Sequence, residues 1–249
     1  MSEFEGKVAL ITGDIIVHFD LVLHFDRIHN SGASSGIGKE TAIHFASLGC
    51  RISITGRKAE NLEYTKQECI VNGTKEENIF TLVGDVTNEE FAKQLIEETV
   101  NYFGRIDILV RTNIQYRVYL IISRKQVNCA GIGAVGTTEN LSLQLYDEVM
   151  NVNCRSVFML TQMAIPHLKK TRGNIINVSS VAGLRTFAGI VAYTMSKAAL
   201  DQMTRTAALE LAADGIRVNS VKYVYYLYTI ICFSNIKFKF SLILEILMI

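Results

Sequence analysis

A tyrosine and a lysine four residues apart carry the most suggestive chemistry in this sequence: Tyr193 and Lys197, in the run Ala192-Tyr193-Thr194-Met195-Ser196-Lys197-Ala198-Ala199. On a helix that spacing puts both side chains on one face. A phenol beside an ammonium is an acid/base unit. Free tyrosine titrates near ~10, so proton exchange near neutrality needs a shift of roughly 3 units, or about 4 kcal/mol, which an adjacent cation in a partly dry site can supply. The same spacing also occurs on ordinary helix surface, so a further group has to separate the two readings. Ser180 is that group. It ends the apolar run Gly173-Asn174-Ile175-Ile176-Asn177-Val178-Ser179-Ser180, ahead of Val181-Ala182-Gly183. The run predicts a strand whose carboxyl end is where open α/β sheets bind their ligands.

A second set of residues fits a nucleotide. Lys7-Val8-Ala9-Leu10-Ile11-Thr12-Gly13 reads as a short buried strand ending in glycine, and Gly32-Ala33-Ser34-Ser35-Gly36-Ile37-Gly38 as a glycine turn running into a helix. Glycines let the backbone approach a pyrophosphate, and the helix amino terminus then offers free N–H groups and positive dipole. With the following strand Arg51-Ile52-Ser53-Ile54-Thr55-Gly56-Arg57 the pattern becomes a βαβ nucleotide unit. An acidic residue at the end of that strand would bind the ribose 2′-hydroxyl of NAD, whereas an arginine suits the 2′-phosphate of NADP. Arg57 therefore favours NADP, with NAD as the alternative.

The elements that must position these groups follow from periodicity and glycine punctuation. Strands are predicted at 7–12, 51–55, 79–83, 106–110, 173–178 and 216–221, and helices at 36–48, 59–72, 88–103, 142–170 and 191–213. Alternating strands and helices in 249 residues, of which 49% are hydrophobic, predict one α/β domain built on a single doubly wound parallel sheet of the Rossmann type. The helical stripe Val149, Val152, Val157, Leu160, Ala164, Leu168 reads as core and subunit interface, with Asn153 its polar exception. Lysine and arginine number 25 against 24 acidic residues, so the sequence has no basic footprint for nucleic acid. Five scattered cysteines without a C-x-x-C motif point to a reducing compartment, and the polar, acidic amino terminus is unlike a signal peptide, so a cytoplasmic location is expected.

With the serine, tyrosine and lysine so arranged, the sequence closely resembles the short-chain dehydrogenase/reductase family. The resemblance implies that Ser180 orients the substrate carbonyl or hydroxyl, that Tyr193 is the general acid/base, and that Lys197 lowers the tyrosine pKa and holds the nicotinamide ribose. It assigns Asn153, in Met150-Asn151-Val152-Asn153-Cys154-Arg155, to the family's water-holding asparagine. Gly84-Asp85-Val86-Thr87 resembles the family's adenine-contacting strand end, and Asn128-Cys129-Ala130-Gly131 its Asn-Asn-Ala-Gly signature, with Cys129 in place of the second asparagine. The implied cofactor-binding set is Thr12, Gly13, Gly32, Ser34, Ser35, Gly36, Ile37, Gly38, Arg57, Asp85, Val86, Asn128, Ala130, Gly131, Tyr193 and Lys197. The implied activity is NADP-dependent hydride transfer between a small-molecule carbonyl and a secondary alcohol, in a homodimer or homotetramer built through helices 142–170 and 191–213.

Three segments depart from the family. Residues 14–31 and 111–126 interrupt motifs that the family keeps contiguous; removing them, with one Gly and one Val, restores Ile-Thr-Gly-Ala-Ser-Ser-Gly-Ile-Gly and Asp-Ile-Leu-Val-Asn-Cys-Ala-Gly. From Lys222 onward a hydrophobic, Tyr-rich segment, 222–249, stands where the family has a Pro-Gly turn, a substrate loop and its last strand, so 1–221 is the nucleotide-binding domain and 222–249 a foreign tail. All three share an Ile/Tyr/Phe/Lys/Asn-rich composition, as translated AT-rich non-coding DNA would. The expectation is that they are introns read through in a gene model, which leaves a defective, non-catalytic product as the alternative function. A tail anchor is a further reading of 223–249, although Lys237, Lys239 and Glu245 interrupt its apolar run. His18, His24 and His29 with Asp20 and Asp26 lack the spacing of a metal site, so no metal is expected. Tyr116-Arg117-Val118-Tyr119-Leu120-Ile121-Ile122 could form a hairpin or compete for the sheet.

Overall fold

Six parallel strands form one sheet in the order β4-β3-β1-β5-β8-β9. They are β1 (Val8–Thr12), β3 (Arg51–Gly56), β4 (Ile79–Val83), β5 (Ile108–Arg111), β8 (Asn174–Ser180) and β9 (Arg217–Tyr223). The computed structural model describes residues 4–12, 16–17, 33, 36–111, 118–119, 128–130 and 134–223. Helices α1 (Gly36–Ser47) and α2 (Ala59–Val71) cover one face of the sheet and α3 (Glu89–Phe103), α5 (Ser156–Thr171) and α6 (Val191–Leu211) the other, while α4 (Leu143–Met150) packs on α6. Chain order reverses between β1 and β5, and at such a switch point the carboxyl ends of the strands open a crevice.

Burial on both faces suits the apolar runs of β1 and β5. Ser53 and Asn177, polar residues buried in β3 and β8, instead find partners inside, Ser53 with Thr99 Oγ1 and Asn177 with Thr204 Oγ1. Every residue of β1 and of β8 is buried. Successive side chains of β1 serve opposite layers. Ala9 and Ile11 pack with Phe45 of α1 and Leu62 of α2, whereas Leu10 packs with Leu95 of α3, Leu168 of α5 and Leu211 of α6. Each fully buried side chain of this size contributes roughly 1.5–3 kcal/mol. Asp107 anchors the start of the central strands: its Oδ2 accepts from Val8 N (3.0 Å), and its carboxylate is paired by Arg105 at 2.9 and 2.6 Å.

The predicted elements are present with shifts of a few residues at their ends, and two departures bear on function. Helix 142–170 is three pieces, because a π-helical segment over Asn151–Arg155 separates α4 from α5. Residues 111 and 128–130 also differ from expectation. Arg111, expected to begin a foreign insert, is the last residue of β5, aligned with Thr12 of β1 and Asn177 of β8. Asn128–Ala130, expected to continue β5, form β7 of a separate antiparallel sheet, between β2 (Ile16–Val17) and β6 (Val118–Tyr119). The chain reaches Arg111 directly from Val110, so that residue takes the sheet position, and the backbone groups of β7 pair instead with segments from both inserts. The pairing of Val118–Tyr119 with Asn128–Cys129 is the hairpin suggested by Tyr116–Ile122.

Candidate active site

Ser180 is the last residue of β8, and its side chain caps the short 3-10 turn Val181–Gly183 by accepting a hydrogen bond from Ala182 N at 3.2 Å. That turn packs directly on α6. A Cβ at Gly183 would stand 2.9 Å from both the carbonyl carbon and the oxygen of Lys197, and 2.6 Å from Asp201 Oδ2, so only glycine permits this approach. Tyr193 and Lys197 lie in the first two turns of α6, and both are fully buried. Lys197 Nζ donates to Val178 O on β8 (3.1 Å) and stands 5.7 Å from the centre of the Tyr193 ring. Ser180 thus ends the strand whose Val178 O holds Lys197, and Lys197 lies beside the Tyr193 ring. Burial pushes the Lys197 ammonium down to about 7, against the opposing pull of Cys154 and Asp201.

Asn153 sits in the π-helical segment and is fully buried. π-Bulges inside helices mark functional positions often, because the extra residue re-aims the side chains around it. Asn153 Nδ2 donates to Ser196 Oγ (2.9 Å), which donates to Tyr193 O (2.8 Å), so the asparagine is tied to the tyrosine's own backbone. Its Oδ1 takes no hydrogen bond among the described residues, which suits an acceptor for a water or hydroxyl proton. Cys154 Sγ lies 3.4 Å from Ser196 O, and burial raises its thiol pKa.

The predicted nucleotide-binding residues other than Tyr193 and Lys197 fall into three groups. Thr12 ends β1, Gly36, Ile37 and Gly38 form the first turn of α1, Arg57 follows β3 exposed to solvent, and Asp85 and Val86 follow β4. All stand at carboxyl ends of neighbouring strands or at a helix amino terminus. Asp85 Oδ1 accepts from Thr87 N (2.9 Å) and Thr87 Oγ1 (2.8 Å), and Gly84 N donates to Gly56 O (3.0 Å), so the turns after β3 and β4 are held together. Asn128 and Ala130 lie in β7, away from the six-stranded sheet. Gly13, Gly32, Ser34, Ser35 and Gly131 lie outside the described residues. A dinucleotide fits the first group, since α1 begins in glycine with no acidic side chain in its first turn to oppose a phosphate.

Several residues at the site escaped the sequence reading. Arg111 is buried, its guanidinium donating to Val157 O, Thr161 Oγ1 and Asn177 Oδ1, and burial pushes it down to about 9. Asn177 Nδ2 in turn donates to Thr204 Oγ1 (2.9 Å). Ser196 and Gly183 also escaped it, although Ser196 lies three residues after Tyr193 and could have been read from helical spacing. Among the described residues no cluster of three or more His, Cys, Asp or Glu side chains could hold a metal ion, and no helix is long and apolar enough to cross a membrane. The histidine-rich segment 18–29 and the tail beyond Tyr223 lie outside them.

Known proteins share this sequence pattern and fold. The family model for short chain dehydrogenases matches residues 29–229. An uncharacterised oxidoreductase of Thermotoga maritima is 36% identical over 219 residues, covering 88% of this chain and 71% of the relative. The 3-oxoacyl-acyl-carrier-protein reductase of the same organism is 35% identical over 218 residues, covering 87% and 73%. Among solved structures, a short-chain dehydrogenase/reductase of Caenorhabditis elegans with cofactor superposes with a TM-score of 0.71 at 34% identity, covering 88% of this chain and 69% of that one. The glucose dehydrogenase of C. elegans gives 0.69 at 34% identity, covering 93% and 81%. The chain therefore belongs to the short-chain dehydrogenase/reductase family, NAD(P)-binding oxidoreductases that act on CH–OH groups.

Proposed function

We propose that the chemistry built into this chain is NADP-dependent interconversion of a carbonyl and a secondary alcohol, with Asn153, Ser180, Tyr193 and Lys197 as the catalytic set. The observation that carries the reading is the convergence of the three buried side chains of Asn153, Tyr193 and Lys197 with Ser180 at the end of β8. The bound nicotinamide supplies or accepts the hydride. In the reductive direction Tyr193 gives its hydroxyl proton to the substrate oxygen. Ser180 Oγ already accepts from Ala182 N, which leaves its own proton to be donated to that same oxygen. Lys197, held on Val178 O, stabilises the tyrosinate that results. Asn153 Oδ1 accepts from a water that returns the proton. Arg57, exposed beside the β3 end, supplies the charge for a 2′-phosphate. The test is Tyr193→Phe in a chain lacking both inserts and given a family-like carboxyl end: turnover is abolished and cofactor binding kept, because only the transferable proton is lost. Appreciable residual turnover removes Tyr193 from its role.

We also propose that residues 14–31, 111–126 and 222–249 are translated non-coding sequence. Two observations favour this: β7 pairs with β2 and β6 rather than extending β5, and Arg111 stands in the sheet where the uninterrupted motif has an asparagine. The 249-residue chain is then the defective form of the enzyme. Sequencing the spliced transcript decides it, since the segments are absent from mature message if the reading is right. Self-association through α4, α5 and α6 is favoured by an apolar groove of about 550 Å³ between them, lined in part by Met150, Phe158, Leu200 and Met203. A reducing, cytoplasmic setting is favoured by the free thiols Cys50 and Cys69, both pushed up to about 12 by burial and so unreactive.

A further inference from the structure

We infer that Asp201 is a positioning residue of the candidate site, a buried carboxylate that serves Lys197 from one helical turn away while Lys222 of β9 holds it in place. Asp201 is 2% exposed, and it lies four residues after Lys197 on α6, the spacing that stacks side chains on one helical face. Its Oδ2 stands 2.6 Å from Lys222 Nζ, and its Oδ1 takes no hydrogen bond among the described residues. The carboxylate is therefore not neutralised by helix or turn backbone. It faces outward from α6 to the turn that follows Ser180, where a Cβ on Gly183 would lie 2.6 Å from Oδ2. Lys222 is aligned with Ser179 in the β8–β9 pairing, one residue from Ser180. β9 therefore carries the sheet register into the segment 222–249 proposed above as non-coding, and the Asp201–Lys222 pair is a property of the 249-residue chain that a family-like carboxyl end need not reproduce. One carboxylate thus joins the helix of Tyr193 and Lys197, the turn of Ser180 and the end of β9.

An ammonium buried as deeply as Lys197 loses its hydration and keeps its charge only if something negative is near. Among the described residues, the charged or titratable groups that face it are Tyr193 and Asp201 on α6 and Cys154 on the π-helical segment, with Lys222 acting through Asp201. Burial raises the Cys154 thiol pKa, and Asp201, ion-paired with Lys222 at 2.6 Å, is the carboxylate among these groups. Lys222 has two opposed effects. Its ion pair fixes the carboxylate, and its positive charge partly cancels that carboxylate's field at Lys197. The Asp201–Lys222 pair therefore sets how strongly Lys197 holds its proton. A bare packing role for the pair would produce no such setting.

This inference rests on the reading of Lys197 as the cation beside Tyr193 only for its consequence in catalysis, and its test needs no cofactor. The ammonium resonances of the 249-residue chain, carrying isotope-labelled lysine, are followed by NMR from pH 5 to 10, with the Lys197 signal assigned by its loss in Lys197→Arg. Asp201→Asn removes the anion and leaves Lys222 unshielded, so the Lys197 midpoint falls by about one pH unit or more. Lys222→Gln unshields the anion, so the midpoint rises. Movement in these opposite senses supports the inference. An unchanged midpoint in folded Asp201→Asn, or movement of both variants in the same sense, overturns it. Should Asp201→Asn fail to fold, Lys222→Gln alone decides: a rise supports the role, and no rise removes it. Opposite shifts together with full turnover by Tyr193→Phe in the insert-free chain would sink the proposed reaction and leave the role of Asp201 standing.

Discussion

Replacing Lys197 by methionine is expected to stabilise the fold while destroying the site. The lysine is fully buried, and its ammonium is pushed from 10.5 down to about 7, chiefly by loss of hydration. The unfolded chain therefore binds one proton more than the folded chain between about pH 7 and 10.5, and unfolding free energy rises with pH there by ~1.4 kcal/mol per unit. Below pH 7 both states hold the proton, and the folded state bears the full penalty, whose ceiling is about 5 kcal/mol. Methionine has no charge to desolvate and nearly the same length. It leaves Val178 O without the donor it has at 3.1 Å, a loss of about 1–3 kcal/mol. The net expectation is a gain of about 2–4 kcal/mol at pH 6 that disappears by pH 10. Urea denaturation of both chains across that range measures it. A difference between the two chains that does not change with pH would refute the argument, because the effect would then be packing and not charge.

Three further outcomes are expected. Arg57→Asp in the insert-free chain reverses the preference from NADP to NAD, read as the ratio of the two dissociation constants; tighter binding of NAD by the unsubstituted chain would end this reading of Gly56-Arg57. Gly183→Ala pushes the turn after Ser180 off α6, since the added carbon meets Lys197 backbone at 2.9 Å. It lowers stability by about 1–3 kcal/mol and turnover with it, so a melting temperature unchanged by this substitution contradicts the close packing. Deleting 111–126 with Val127 puts Asn128 where the Arg111 guanidinium is now buried, so the thermal midpoint rises, and a fall would show that Arg111 belongs in this sheet.

Much of the scaffold is legible because short runs rich in β-branched residues alternate with stretches of helical periodicity and glycine punctuation. The runs at Val8–Thr12, Arg51–Gly56 and Asn174–Ser180 need no tertiary knowledge to be read as strands, and Tyr193, Lys197 and Ser180 follow once a helix and a strand end are assigned. The break at Asn151–Arg155 is not legible. Apolar residues recur through 142–170 at helical spacing, and a π-helical turn changes the hydrogen-bond partner by one residue without changing composition. Yet that turn is what aims Asn153 toward Ser196. Arg111 was hidden for a different reason. Its burial depends on acceptors contributed by α5 and β8, Val157, Thr161 and Asn177, which are remote in sequence. Asp201 shares that difficulty, since its partner Lys222 lies across the fold on β9.

The two inserts touch the fold unequally because of where they enter it. Segment 14–31 begins two residues after the end of β1, and segment 111–126 begins at the last residue of β5, both at carboxyl ends of strands. Lengthening a loop there from about five to about twenty-four residues costs only ~1.4 kcal/mol of closure entropy, which a sheet with this much burial absorbs. The same edge is where the cofactor's pyrophosphate needs Thr12 and the glycines of α1 to converge, and displacements of about an ångström spoil an array of oriented N–H groups. Ser180, Tyr193, Lys197 and Asn153 are carried by β8, α6 and the π-helical segment, none of which an insert enters. If 14–31 and 111–126 are foreign, as proposed, nucleotide binding is therefore expected to suffer first, while the residues proposed for proton transfer keep their places.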